Sequence, residues 1–300
     1  MAGLVPACRS GGRALAFVIF ALAAASPVAR ANETKGAFAD PSRIASIGGS
    51  VTEIAFALGE ADKLVARDST SVYPQEALKL PDVGYMRQLS PEGVLSVHPS
   101  GILALQGSGP KEAVDVLKKA EVPYIEVAEA YDHEGVLAKI RLVGQALGAD
   151  AAAEALARQV DGKLKAVEAQ TAAISDRKRV LFVLSVQQGK VMASGIGTTA
   201  DGMIRLSGAV NAIDGFHGYR PLADEAIINA RPDAILLMSN AGPGPSDADL
   251  LGIPALAATP AGQQKAIIRM DAGYLLGFGP RTADAAHDLA RQLYGKAIGD

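Results

Sequence analysis

The sequence predicts an α/β protein of two similar lobes. Each lobe is read as a parallel-type sheet flanked by helices, and one long inter-lobe helix joins them. Three observations carry this prediction. Strand-like and helix-like segments alternate along both halves, the order that builds a parallel sheet with helices on its faces. Residues 89–105 (LSPEGVLSVHPSGILAL) are echoed by residues 222–238 (LADEAIINARPDAILLM), with Glu92 matched to Glu225 and Pro99 to Pro232 at one common separation. Such an echo indicates one structural unit used twice. Between the copies lies an Ala-rich run, residues 151–174, with Leu156, Val160, Leu164 and Val167 on one stripe. At 1.5 Å per residue a helix there reaches roughly 36 Å, enough to run along two lobes.

The elements follow in order. Arg9 and Arg13 precede an apolar run at residues 14–25, too short to span a bilayer comfortably, and Ala29-Arg30-Ala31 is an A-x-A cleavage pattern. Residues 1–31 are therefore expected to be a signal peptide. Its removal takes away three arginines, no acid and the sole cysteine, Cys8, moving the net charge from −3 to −6. A mature chain without thiols fits a bacterial periplasm, where disulfides are permitted but not required. Residues 32–40 are polar and read as a mobile leader. A strand at residues 43–47 leads through Gly48-Gly49-Ser50 into a helix ending at Gly59. Ser50 or Thr52 is expected to cap it, with Glu53 at capping-box spacing from Ser50. A strand at 63–66, a hydroxyl-rich loop at 67–75, the Gly84-Tyr85 loop and a strand at 101–105 follow, and the strand ends in Gln106-Gly107-Ser108-Gly109-Pro110. A helix at 111–120, a strand at 122–127 and a helix at 134–147 complete an N-terminal lobe, residues 32–148. Asp150 is placed to cap the connecting segment, residues 149–176.

The C-terminal lobe, residues 177–300, opens with a strand at 180–186 and a turn at Gln187-Gln188-Gly189-Lys190. A short strand at 191–193 and a helix from Gly197 to Gly208 repeat the early Gly49–Gly59 unit in outline. Then come the Gly218-Tyr219 loop, its helix and a buried strand. Ser239-Asn240-Ala241-Gly242-Pro243 matches the loop at Gln106. A strand at 265–270 and a helix at 282–294 behind Pro280 close the chain. A single bracing helix limits lobe motion, so modest cleft closure is expected.

The composition, 49% hydrophobic and 20% charged, is that of a globular protein, and the net negative charge gives no support for nucleic-acid binding. There is no G-x-S-x-G, Walker A, HExxH or cysteine nucleophile. Gly107-Ser108-Gly109 lacks the dinucleotide fingerprint, and Gly277-Phe278-Gly279-Pro280-Arg281 shares only its glycines with a phosphate loop.

The candidate chemistry lies on the two Gly-Tyr loops, read as two lips of one cleft. A tyrosine is a poor metal ligand while protonated, but its phenolate is a hard oxygen donor suited to ferric iron, as in tyrosine-ligated haem. A neighbouring cation favours the phenolate, and Arg87 or Arg220 is placed to supply it. Those arginines equally suit carboxylates of a ligand. Gly84 is read as leaving room for a flat ligand. Tyr85 is thus either the iron ligand or a residue packed at a loop corner. Tyr219 admits the same readings, with packing against a ligand's far face favoured, and Met86 is either pocket lining or core. Among the histidines, His217 is the one metal candidate; His98 reads as a helix C-terminal residue, and His133 and His287 as surface. Glu92 and Glu225 satisfy helix N-termini, and their matched placement also suits docking onto arginine pockets of a partner.

The mature chain resembles a cluster-III periplasmic binding protein of an ABC importer. The run Val83-Gly84-Tyr85-Met86-Arg87-Gln88-Leu89-Ser90-Pro91-Glu92-Gly93, with Ser50-Val51-Thr52-Glu53-Ile54 and Gly218-Tyr219-Arg220-Pro221-Leu222, is similar to the haemin-binding proteins of bacterial haem uptake. The resemblance implies Tyr85 as the haem-iron ligand. It implies Arg87 and Arg220 as partners of the tyrosine or the propionates, and Glu92 and Glu225 as contacts to the inner-membrane ABC permease. It implies a monomer that binds and delivers haem, catalyses nothing and resides in the periplasm. Some relatives use a C-lobe histidine for a second haem, for which His217 is the only place here. The alternatives are the same fold carrying a ferric siderophore or a cobalamin, and, from another class, an exported metal-dependent hydrolase.

Overall fold

A computed structural model of the chain describes residues 36–239 and 244–299. The expected signal peptide and Asn240-Ala241-Gly242-Pro243 lie outside the described residues. The first half runs β1 (Ile44–Ile47), α1 (Gly49–Ala57), β2 (Leu64–Arg67), α2 (Pro91–Leu95), β3 (Gly101–Leu105), α3 (Lys111–Lys119), β4 (Tyr124–Val127) and α4 (His133–Leu147). Helix α5 (Asp150–Ala172) follows. The second half runs β5 (Arg179–Gln187), β6 (Lys190–Ser194), α6 (Thr199–Leu206), β7 (Val210–Asn211), β8 (Tyr219–Pro221), α7 (Asp224–Ala230), β9 (Ala234–Ser239), α8 (Asp247–Leu251), α9 (Pro254–Ala257), α10 (Pro260–Gln264), β10 (Ile267–Asp271), α11 (Ala272–Leu276) and α12 (Thr282–Tyr294).

The first sheet is parallel throughout, in the order β2-β1-β3-β4. Strands β1 and β3 are buried along their whole length, which is why they read as unbroken apolar runs. The second sheet has the order β10-β9-β5-β6-β8, with β7 on β5. Its β10, β9 and β5 are parallel, but β6 and β8 are antiparallel additions. The cause is local. Gln188 and Gly189 both take positive φ, 50° and 76°, the two-residue turn that folds a strand straight back on itself. The second lobe is therefore similar to the first in its parallel core and different at one edge.

The repeat extends to backbone detail. His98 and Arg231, matched in the sequence echo, both adopt left-handed φ, 48° and 44°. Arg43 reaches the carbonyl of Val97 at 2.6 Å, and Arg179 reaches the matching carbonyl of Ala230 at 2.9 Å. Each arginine thus ties the start of its sheet to the end of the helix before the next strand.

Helix α5 has 23 residues, so it is roughly 35 Å long. Its buried stripe is Ala153, Ala157, Val160, Leu164, Val167 and Thr171; Leu156 lies at the margin. The small residues let α4 approach so closely that a Cβ at Gly144 would fall on the Ala153 methyl. Farther along, α5 meets α12, where Lys163 pairs with Asp284 at 2.8 Å. One hydrophobic core runs from Ile44, Ile102 and Ile140 through this stripe to Phe182, Leu236, Phe278 and Leu289 of the second half. A second cluster, including Leu181, Val183, Leu237 and Leu256, fills the other face of the second sheet. The halves therefore share a core.

Three local expectations are corrected. Residues 36–40 are not a free leader, because Phe38 is buried against Gly101 and Ile44 belongs to the same core. Neither Ser50 nor Thr52 caps α1, whose N-cap is Gly48. Buried Asp68 accepts from Gly48 N at 2.9 Å and Thr70 Oγ1 from Gly49 N at 3.1 Å, so a distant loop satisfies the helix start. Asp150 is the first helical residue of α5 and caps nothing; Ala149 stands at the N-cap. Among the described residues no helix is long and apolar enough to cross a membrane.

Candidate functional site

The first Gly-Tyr loop is held from both sides. Gly84 has φ 99°, and open space surrounds the position of a Cβ there, so glycine is required for its left-handed backbone rather than for room. Gly84 N donates to Asp82 Oδ1 at 2.9 Å, Ser69 N to Gly84 O at 2.9 Å, and Gly109 N to Met86 O at 2.8 Å. Val83, Met86 and Leu89 point into the core, which resolves Met86 as packing. Their burial turns Tyr85, Arg87 and Gln88 outward. Tyr85 is 43% exposed, and its hydroxyl has no hydrogen-bond partner among the described residues.

The second Gly-Tyr pair is not a loop, since Tyr219 and Arg220 lie in the edge strand β8 on β6, and it repeats the glycine backbone but not the freedom. Gly218 has φ 81°, and Gly195 N donates to its carbonyl at 2.8 Å, as Ser69 does at Gly84. Tyr219, 36% exposed, is tethered: its ring lies 6.3 Å from that of Phe182, and its hydroxyl is 3.4 Å from Thr199 Oγ1. Arg220 stands 5.2 Å above the Phe216 ring. The first phenol is thus free and the second engaged.

Tyr131, in the loop after β4, was not anticipated from the sequence. Burial raises its phenol pKa, the Glu129 carboxylate adds to this, and Arg87 opposes it; Tyr219 lies within electrostatic reach too. Loops after the carboxyl ends of parallel strands line the crevice of α/β sheets, and that rule was the available signal. Beneath it, Glu129 forms an ion pair with Lys139, whose side chain is fully buried and also donates to Ser50 Oγ at 3.4 Å. Burial lowers the Lys139 pKa, and Glu129 opposes that shift. A half-open cavity of about 260 Å³ is lined by Tyr131 with Asp132, Glu168 and Arg205, and a second, of about 640 Å³, lies between β5 and the segment after β9; neither is lined by Tyr85, Arg87, Tyr219 or Arg220.

Glu92 and Glu225 both occupy the first turn of their helices, α2 and α7, and both are exposed with no ion-pair partner among the described residues. His217 is exposed on the second loop, and no cluster of metal-ligating residues occurs among the described residues. His133 is not a surface residue. It is half-buried between Glu168, 2.8 Å from Nδ1, and Asp161, 2.9 Å from Nε2. His287 is half-buried as well, with Nε2 2.9 Å from the Gly299 carbonyl.

Two α/β halves, each carrying a Gly-Tyr segment and joined by α5, have the architecture of a two-lobed solute-binding protein. The chain belongs to the periplasmic binding protein family, whose profile matches residues 44–274. It is similar to the periplasmic heme-binding protein BhuT in complex with two hemes, at 40% identity and TM-score 0.79, over 86% of this chain and 99% of that one. It is similar to the periplasmic heme-binding protein RhuT from Roseiflexus sp. RS-1, at 37% identity and TM-score 0.80, over 85% of this chain and 99% of that one. Among curated sequences, it is 31% identical to the uncharacterized ABC transporter substrate-binding lipoprotein YvrC of Bacillus subtilis (strain 168), over 66% of this chain and 63% of that relative's length. A vitamin B12-binding protein of Pectobacterium atrosepticum is 26% identical over 67% of this chain and 73% of its own. The name of the Bacillus subtilis relative ties that protein to ABC transport.

Proposed function

We propose that this protein captures ferric haem in the periplasm and delivers it, as a monomer, to an inner-membrane ABC permease. The observation that carries the reading is the Tyr85 phenol, exposed and unpartnered on a loop whose backbone is held from both sides. A ligand oxygen already positioned and free of competing bonds loses little on binding. Tyr85 would bind the iron as phenolate, with Arg87 on the same loop supplying positive charge or pairing with a propionate. Tyr219 would pack against the far face, and Arg220 would meet a propionate from the second lip. The similarity to proteins named for haem binding supports this cargo. The lobes are taken as residues 32–148 and 177–300, with 149–176 as the connection. Glu92 and Glu225 would dock the two lobes on the permease, and opening of the gap would release the cargo. No reaction is assigned to the protein.

Titrating the purified protein with haemin tests this directly. The expected product is a one-to-one complex with the charge-transfer absorption of phenolate-ligated ferric haem; an unchanged haemin spectrum ends the reading. The second reading is cobalamin, favoured by the vitamin B12-binding relative. Displacement of haemin by equimolar cobalamin would move the assignment there.

A further inference from the structure

The sequence left Glu53 as part of a capping box and Gly277-Phe278-Gly279-Pro280-Arg281 as a turn. Residues 277–281 are indeed a turn before α12, but Glu53 caps nothing and is engaged by that turn instead. Arg281 lies 228 positions from Glu53, yet its Nε and a terminal nitrogen donate to the two Glu53 oxygens at 2.9 and 2.8 Å. This is the fork-on-fork geometry in which a guanidinium holds a carboxylate in a defined plane. Glu53 is buried on α1 of the first half. The guanidinium is also stacked by aromatic rings: Arg281 Cζ sits 3.5 Å from the Tyr73 ring centroid and 5.4 Å from that of Tyr274.

The rest of the loop seats this pair. Phe278 is 1% exposed and meets the Tyr131 ring edge-on at 5.4 Å, although Tyr131 belongs to the first half. A Cβ at Gly279 would lie 3.5 Å from the Glu53 carboxyl carbon and 3.6 Å from Ser50 Cβ. The loop before α12 therefore reaches under the start of α1, and a residue of the first half's own loop, Tyr73, closes over it. Contacts of this kind act on the separation of the halves, because Glu53, Tyr73 and Tyr131 belong to the first half and Phe278, Gly279 and Arg281 to the second.

We infer that Glu53 and Arg281, clasped beneath Tyr73 and seated by Phe278, are positioning residues that set the gap between the two Gly-Tyr lips. The halves already share an apolar core along α5, and a directional polar clasp added to it fixes their relative orientation as well as their distance. The inference concerns the spacing of the halves and stands whether the cargo is haem or cobalamin.

The test measures that spacing without ligand. In full-length protein carrying Cys8→Ser, nitroxide labels go at Ser96→Cys and Asn229→Cys, exposed and matched positions on the two lobes. Pulsed electron resonance should give one narrow distance distribution for the otherwise unaltered chain. Arg281→Ala and Glu53→Ala should broaden it and move its mean outward. Arg281→Lys, which keeps the charge but loses the fork, and Glu53→Gln, which keeps the shape but loses the charge, should broaden it to a lesser degree. Circular dichroism reports whether each variant is folded. Should the alanine variants fail to fold, the two conservative variants decide the matter. An unchanged narrow distribution in the folded variants overturns the inference.

Discussion

At the scale of single residues, the two tyrosines differ in what already holds them. Tyr85 has an unengaged hydroxyl on a clamped loop, whereas Tyr219 is packed near Phe182 and its hydroxyl faces Thr199. Removing an iron ligand takes away a bond, while removing a packed ring takes away area and leaves the ligand in place. Tyr85→Ala is therefore expected to weaken haemin binding by about 3 kcal/mol, roughly a hundredfold, and Tyr219→Ala by about 1.4 kcal/mol or less, a tenfold change at most. Tyr85→Phe sharpens the comparison, because it keeps the ring and deletes only the oxygen. It should abolish the charge-transfer absorption. Equal losses in the two alanine variants, read by spectroscopic titration, would reassign the iron to shared ligation. The residue types of this site were readable because Gly-Tyr with a following arginine is a local pattern. The Glu129–Lys139 pair was not, since nothing near either residue in sequence names the other as its partner.

At the scale of elements, α4 and α5 decide between two opposing effects of one substitution. Glycine inside a helix costs up to about 1 kcal/mol against alanine. Gly162 in α5 faces open space, so Gly162→Ala should stabilise the protein by about 0.5–1 kcal/mol. Gly144 in α4 is different, because its Cβ would overlap the Ala153 methyl. Overpacking of that kind costs about 1–3 kcal/mol, which exceeds the propensity gain, so Gly144→Ala should destabilise. Denaturant titration separates the two, with the midpoint rising for one and falling for the other at unchanged slope. A gain in both would mean that α4 and α5 move apart at no cost. The existence of these helices was legible from apolar periodicity, but their starts were not. Ser50, Thr52, Glu53 and Asp150 all match local capping rules, yet Asp68 and Thr70 take over the start of α1, and Glu53 is turned to Arg281. Local rules yield where a partner distant in sequence offers better-buried bonds.

At the scale of the whole molecule, duplication was legible because both copies bury the same pattern, and Arg43 and Arg179 repeat the same tie to a carbonyl. The antiparallel edge at β6 and β8 was less so, because a two-residue turn of Gln and Gly is a weak signal beside long apolar strands. The duplication also places one acidic residue on each lobe, Glu92 and Glu225, at equivalent first-turn positions. Each is exposed and carries no ion pair among the described residues, so neither charge is needed internally. A helix N-terminus favours an acid only by a few tenths to about 1 kcal/mol, so Glu92→Arg and Glu225→Arg should leave the fold intact. Neither is on a Gly-Tyr loop, so haemin titration should be unaltered as well. Complementary charge across an interface governs encounter and register, and reversal sets like charges against each other. Uptake into vesicles carrying the permease should therefore fall in each single variant and further in the double one. Added salt should weaken the unaltered protein's docking in the same direction by screening exposed charges. Intact binding with lost uptake assigns the pair to docking, whereas unchanged uptake in the double variant would return both glutamates to ordinary helix-start residues.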